Sequence, residues 1–159
     1  GVGLHSGKEV LMTLCPAEVN TGIVFVRTDL PERLEIPAMA ENVTSTLKAT
    51  TLSANGAEVF TVEHLMAALA AMQIDNCRIE MNSPEPPVTD GSAAVFCDLI
   101  LQAGRVKQEA VRRVYAVPKS FAVYEAINIL PYSHMTDTAF PLFPLIRIRS
   151  WEHNILISS

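Results

Sequence analysis

At Thr61 the apolar residues of this chain change their spacing, and that change limits the folds open to it. Before it, two short runs, Ala49 to Leu52 and Ala57 to Thr61, flank Ser53-Ala54-Asn55-Gly56. Asn-Gly is the strongest short-range hairpin signal because both residues accept positive φ. After it, Val62, Leu65, Met66, Leu69 and Met72 fall on one stripe of a 3.6-residue period, with alanines filling most positions between them. The spacing predicts a helix over residues 62–72, with Thr61 as its N-cap. A hairpin running directly into a helix requires sheet and helix in one core.

The flanking segments fit such a layer. Glu9 to Leu14 and Gly22 to Val26 are rich in Val, Ile, Leu, Phe and Thr and are separated by Pro16 and an Asn-Thr-Gly turn, so they read as paired strands. Asp29 to Pro37 reads as a proline-punctuated loop. Cys77, Ile79 and Met81 alternate with Arg78 and Glu80 as in a half-buried strand, which Pro84, Pro86 and Pro87 end. A second helix follows Asp90-Gly91-Ser92, capped by Ser92, with Val95, Phe96, Leu99, Ile100 and Ala103 as its apolar face and Gly104 as its stop. Val114, Val117, Val123, Ile127 and Ile129, interrupted by Pro118, return to strand character. The fold class is α+β: a mostly antiparallel sheet layered with two helices, completed near residue 108 and followed over residues 109–159 by the start of a second domain. After Ser133 neither period persists.

Of the 159 residues 49% are hydrophobic and 18% charged, which excludes a disordered chain. The net charge is −5 and the basic residues are scattered, so no stripe exists to neutralise a run of phosphates, and nucleic acid is excluded as a partner. No apolar run approaches the roughly 20 residues that span a bilayer. Cys15, Cys77 and Cys97 show no CxxC pair, and an odd count reads as buried thiols in a reducing compartment, the cytoplasm. The chain begins at Gly1, inside a glycine-rich segment, so an upstream strand is expected.

Glu63-His64 is the pair with chemical potential. Both lie off the apolar stripe, on one exposed face at the helix start. A zinc hydrolase uses such a pair, the imidazole as ligand and the carboxylate as general base. An acidic residue in the first helical turn is equally explained by the macrodipole. One histidine cannot hold a catalytic zinc, which takes three protein ligands as a rule, and there is no H-E-x-x-H. His134 and Asp137 are a weak second pair. Gly1-Val2-Gly3-Leu4-His5-Ser6-Gly7 does not match a phosphate-binding glycine pattern and no helix follows it, so it reads as a turn between strands, with His5 facing a site. Asp90-Gly91-Ser92 reads as a helix entry, and Met66, Phe96 and Cys97 as core.

The pieces taken together resemble the N-terminal half of the zinc-dependent UDP-3-O-acyl-N-acetylglucosamine deacetylases of lipid A and lipopolysaccharide biosynthesis. They are Gly1 to Gly7, Asn20-Thr21-Gly22-Ile23-Val24-Phe25, Leu47-Lys48-Ala49-Thr50-Thr51-Leu52, Thr61-Val62-Glu63-His64-Leu65-Met66-Ala67-Ala68-Leu69, Ile74-Asp75-Asn76, and Pro84-Glu85-Pro86-Pro87-Val88-Thr89-Asp90-Gly91-Ser92-Ala93. The resemblance runs from Gly1 to about Tyr132. It implies two similar α+β domains with helical layers face to face and the active site in the cleft. It also implies a Zn2+ cofactor, a UDP-sugar lipid precursor as substrate and a monomeric cytoplasmic enzyme that releases acetate. Glu63 would be the general base and His64 the first zinc ligand, with Leu47, Lys48, Ala49 and His5 bordering the substrate.

The family completes its zinc site with H-x-x-x-D in the second domain and takes a general acid from a further histidine there. This sequence contains no H-x-x-x-D. Two readings follow: a piece of a working deacetylase, or a non-catalytic remnant, truncated or frame-disturbed after Ser133.

Overall fold

The computed structural model describes residues 1–112 in full and, beyond them, the backbone of four short strands. The chain divides into two units, Gly1–Glu109 and Ala110–Ser159. In the first unit, strands β1 (Met12–Pro16), β2 (Ile23–Arg27), β3 (Leu34–Pro37), β4 (Val43–Ser45), β5 (Thr51–Ala54) and β6 (Ala57–Phe60) lead to helix α1 (Glu63–Ala71), strand β7 (Cys77–Met81) and helix α2 (Ala94–Ala103). In the second, β8 (Phe121–Glu125) pairs antiparallel with β9 (Asn128–Tyr132), and β10 (Leu145–Arg147) with β11 (Leu156–Ser158). Val114, Val117, Pro118, Ile127, His134 and Asp137 lie outside the described residues.

The first unit is α+β, with its strands divided over two sheets: β1-β7-β2-β3 and β4-β5-β6. The expected pairing of the first two strands is corrected here. β1 and β2 do not touch as neighbours; β7 lies between them, antiparallel to β1 and parallel to β2. An interior strand is covered on both faces, which accounts for the unbroken Val24-Phe25-Val26 run of β2, buried throughout. β7 buries Cys77, Ile79 and Met81 on one side, as its alternation predicts. The segment expected to be a loop up to Pro37 instead closes with β3, paired antiparallel to β2. Pro37 is tolerated because β3 is an edge strand, where a missing amide costs no ladder bond.

Locally encoded features hold. β5 and β6 form the hairpin about Asn55-Gly56, whose φ values are 54° and 80°. Leu65, Ala68 and Leu69 of α1 and Phe96 and Ile100 of α2 are buried with Phe25, Ile36, Leu52, Val59 and Ile79 in one core. Cys97 and Met66 pack at its edge. Cys77 is buried, and burial pushes its thiol up to about 11, whereas Cys15 and Cys97 are only partly covered.

Both expected helix caps need correction. Thr61 is not the cap of α1: that position is Val62, without a side-chain bond, and the Thr61 hydroxyl is engaged elsewhere. Ser92 stands two residues before α2, where its Oγ accepts from the Ala94 amide at 3.1 Å while Ala93 is the cap residue. Asp90 in turn accepts from the Ser92 amide and hydroxyl, so Asp90-Gly91-Ser92 is the helix entry.

At its C-terminus α1 closes without glycine. The Gln73 amide donates to Ala70 O and the Ile74 amide to Leu69 O, with Gln73 at φ 57°. This is a Schellman closure, where a left-handed residue is required and glycine is the favoured one. Arg105 adds a bond to the Met72 carbonyl. Gln73→Gly should therefore raise stability by roughly 0.5–1 kcal/mol, since relief of left-handed strain exceeds the added chain entropy. Urea unfolding of the two proteins checks this, and a lower midpoint for the glycine variant would refute it.

Candidate active site

Glu63 and His64 open α1, Glu63 exposed and His64 half-buried, while the next residue, Leu65, turns into the core. The register of the helix fixes this division: with Leu65, Ala68 and Leu69 inside, position 63 faces outward and position 64 lies on the flank, so His64 is less exposed than expected from the sequence. The Glu63 carboxylate accepts, at Oε1, a close hydrogen bond from the Thr50 amide. Its other oxygen and the imidazole of His64 have no hydrogen-bond partner among the described residues.

Thr50 follows the bend 47–49 in the connection from β4 to β5. Leu47, 81% exposed, Lys48, at φ 67°, and Ala49 are thereby brought to the same end of α1 as Glu63. Leu47 and Lys48 are exposed and Ala49 is half-buried.

His5 reaches this neighbourhood by another route. The Gly1–Gly7 segment is a tight loop: the Gly3 amide donates to Lys8 O, the Gly7 amide to Gly3 O, and Val2 and Gly3 bridge to Glu9 and Pro87. Its amides do take an anion, one supplied from within the chain. Glu85 is 0% exposed, and its Oε1 accepts from the His5 amide at 3.0 Å, its Oε2 from the Ser6 amide at 2.9 Å. The Thr61 hydroxyl donates to Oε1 at 2.9 Å. The Gly3 backbone passes so close that a Cβ there would collide with Ser6 Oγ and lie 2.5 Å from Glu85 Oε2. His5 itself is exposed.

Glu63, His64, Leu47, Lys48, Ala49 and His5 thus come from three segments tied by hydrogen bonds to residues 61–63. Glu85, Ser6, Thr50 and the role of Thr61 escape a reading of the sequence. One signal was present: an acidic residue among three prolines, beside a glycine-rich loop with amides to satisfy. His134 and Asp137 lie outside the described residues. Among those that are described, no three His, Cys, Asp or Glu side chains gather to hold a metal.

Residues 1–153 match the family model described as LpxC: UDP-3-O-acyl N-acetylglycosamine deacetylase. The chain belongs to this family. The UDP-3-O-acyl-N-acetylglucosamine deacetylase of Myxococcus xanthus is 54% identical over 125 residues, which cover 79% of this chain and 40% of that protein. That of Hahella chejuensis is 44% identical over 164 residues, covering all of this chain and 54% of its own length. The bifunctional enzyme LpxC/FabZ of Chlorobaculum tepidum is 46% identical over 142 residues, 89% of this chain and 29% of that protein. The chain spans about half the length, or less, of these curated relatives. As a member of the deacetylase family it keeps the match well past Ser133, which counts against a remnant disturbed from that point.

Proposed function

We propose that this deacetylase-family chain serves the zinc-dependent hydrolysis of the N-acetyl group of UDP-3-O-acyl-N-acetylglucosamine in lipid A biosynthesis, releasing acetate. The observation that carries the reading is the helix start: Glu63 fixed through one carboxylate oxygen by the Thr50 amide, beside a His64 imidazole with no protein partner among the described residues. A neutral imidazole is a good zinc donor, so His64 suits one position of the metal's shell, and its other ligands would come from outside the described residues. When bound, zinc would polarise the N-acetyl carbonyl and lower the pKa of water.

Glu63 does the proton work of this half. Its Oε1 is occupied by the Thr50 amide, which fixes the plane of the carboxylate, so Oε2 is the atom that takes a proton from the attacking water. Water oxygen then bonds to the acetyl carbon, and the carbon–nitrogen bond breaks as the sugar nitrogen takes a proton from a general acid outside the described residues; acetate and the free amine leave, and Glu63 returns its proton to solvent. Exposed Leu47, Lys48 and His5, with Ala49, border the substrate. A cytoplasmic setting is in keeping with three cysteines, an odd count without a CxxC pair. Among the described residues no helix is long and apolar enough to cross a membrane.

The test is His64→Ala in a protein of the relatives' length that carries this sequence. Zinc content after dialysis should fall from about one per chain to near zero, with acetate release lost alongside it, because a three-ligand site does not survive removal of a ligand. A variant that keeps one zinc per chain and its activity would remove His64 from the site.

A further inference from the structure

The backbone that launches α1 is strained. Thr61 has φ 58°, in the left-handed region, where a β-branched residue is a true outlier. Such a conformation persists only when its surroundings over-determine it. Here the determinant is visible: the Thr61 side chain is buried, and its hydroxyl donates to Glu85 Oε1. One residue earlier, the Phe60 amide donates to Pro84 O at 2.9 Å, so two adjacent residues of this corner are bonded to the Pro84-Glu85 segment.

Glu85 is held from its other side by the loop that carries His5. The His5 amide bonds both carboxylate oxygens, at 3.0 and 3.1 Å, the Ser6 amide bonds Oε2, and the Val88 amide donates to Val2 O. Gly3 lies beside the same carboxylate with no room for a side chain between them, since a Cβ there would stand 2.5 Å from Oε2. No lysine or arginine of the described residues pairs with Glu85. Its partners are the amides of His5 and Ser6 and the hydroxyls of Thr61 and Ser6.

We propose that Glu85 is a positioning residue: through Thr61 it fixes the strained corner from which Glu63 and His64 project, and it locks that corner to the loop bearing His5. The assignment of Glu63 and His64 to catalysis rests on the deacetylase reading; the mechanical coupling does not. Glu85 is fully buried, so it acts through its neighbours. Its effect reaches the reaction through the placement of Glu63 and His64 and of the loop bearing His5.

Two substitutions separate the hydroxyl from the shape of the side chain. Thr61→Val keeps the branched side chain and removes the donor; Thr61→Ser keeps the donor. In amide NMR spectra of this 159-residue chain, Thr61→Val should shift His5 and Ser6, which bond Glu85, and also Thr50, which bonds Glu63. Thr61→Ser should return all three towards their parent positions. In a protein of the relatives' length, Thr61→Val should lower kcat by about 10- to 100-fold, as expected for a misplaced catalytic group, with KM little changed, and Thr61→Ser should restore most of it.

If Thr61→Val fails to fold, Glu85→Gln, which keeps the packing but faces an amide donor with its own NH2, should produce the same Thr50 shift. A Thr50 amide that stays in place while His5 and Ser6 move would overturn the coupling, as would an unchanged kcat. Coupled shifts in a protein without deacetylase activity would sustain the positioning role and remove the deacetylase reading instead.

Discussion

Glu63→Gln should lower the rate of acetate release by about 10² to 10⁴ while leaving substrate affinity within a few-fold of the parent. The size follows from what the substitution changes. Glutamine has the shape of glutamate and its amide oxygen can still accept from the Thr50 amide, so the helix start and the 47–49 bend keep their places. The atom at the Oε2 position becomes an NH2 that cannot take a proton. Only the proposed proton-accepting role would be lost, and a general base is worth the quoted factor. The assay needs a protein of the relatives' length carrying this sequence, with zinc content measured on the same preparation. Zinc held at the parent level with acetate release lost identifies Glu63 as the base; zinc lost as well would mean that Glu63 acts by holding His64 in place; full activity would exclude it. Glu63→Asp is the useful companion, because a shorter side chain cannot satisfy Thr50 and reach the water together.

The features legible in the sequence are those whose causes are local. The Asn55-Gly56 hairpin, the α1 stripe and the alternation of β7 depend on residues a few positions apart, and each stands where its pattern placed it. Sheet order is different: β7 separates β1 from β2 because strand neighbours are chosen by burial across the whole unit, and nothing in either run encodes that. β3 was hidden by the proline that ends it. Thr61 illustrates a conflict of local signals. A threonine before an apolar helical stripe reads as a cap, yet its hydroxyl is drawn to a carboxylate 24 residues away. Glu63 and His64 are legible because helical register keeps both off the apolar stripe. Glu85 was missed because its other partners are 79 and 80 residues distant, and no period in the sequence spans that interval.

Glu85→Gln should cost roughly 2–3 kcal/mol at neutral pH, the penalty of leaving a buried donor facing a donor at a site built for a charged acceptor. The cost should shrink in acid. Burial by itself pushes the Glu85 carboxyl up, but the amides of Ser6 and His5 and the hydroxyls of Ser6 and Thr61 outweigh it and hold the group below its ordinary 4.5. A carboxyl lowered on folding contributes stability that is fully present above its unfolded value and is lost as pH falls through the folded one. The gap between the parent and the Glu85→Gln variant should therefore be constant above about pH 5 and close progressively below the ordinary value of 4.5. Asp29, held down first by its bond to Arg27, and Asp90, held down by Ser92, lose stability in acid too, but equally in both proteins, so the difference isolates Glu85. Salt provides the control. Glu85 is buried and bonded to neutral groups, whereas Asp29 is partly exposed and pairs with Arg27 at 2.7 Å. At 1 M salt, where the screening length is about 3 Å, the Glu85→Gln gap should persist. Urea unfolding from about pH 7 to about pH 3, with and without salt, measures it, and a gap that is flat with pH or abolished by salt would mean that the carboxylate is held by something other than these hydrogen bonds.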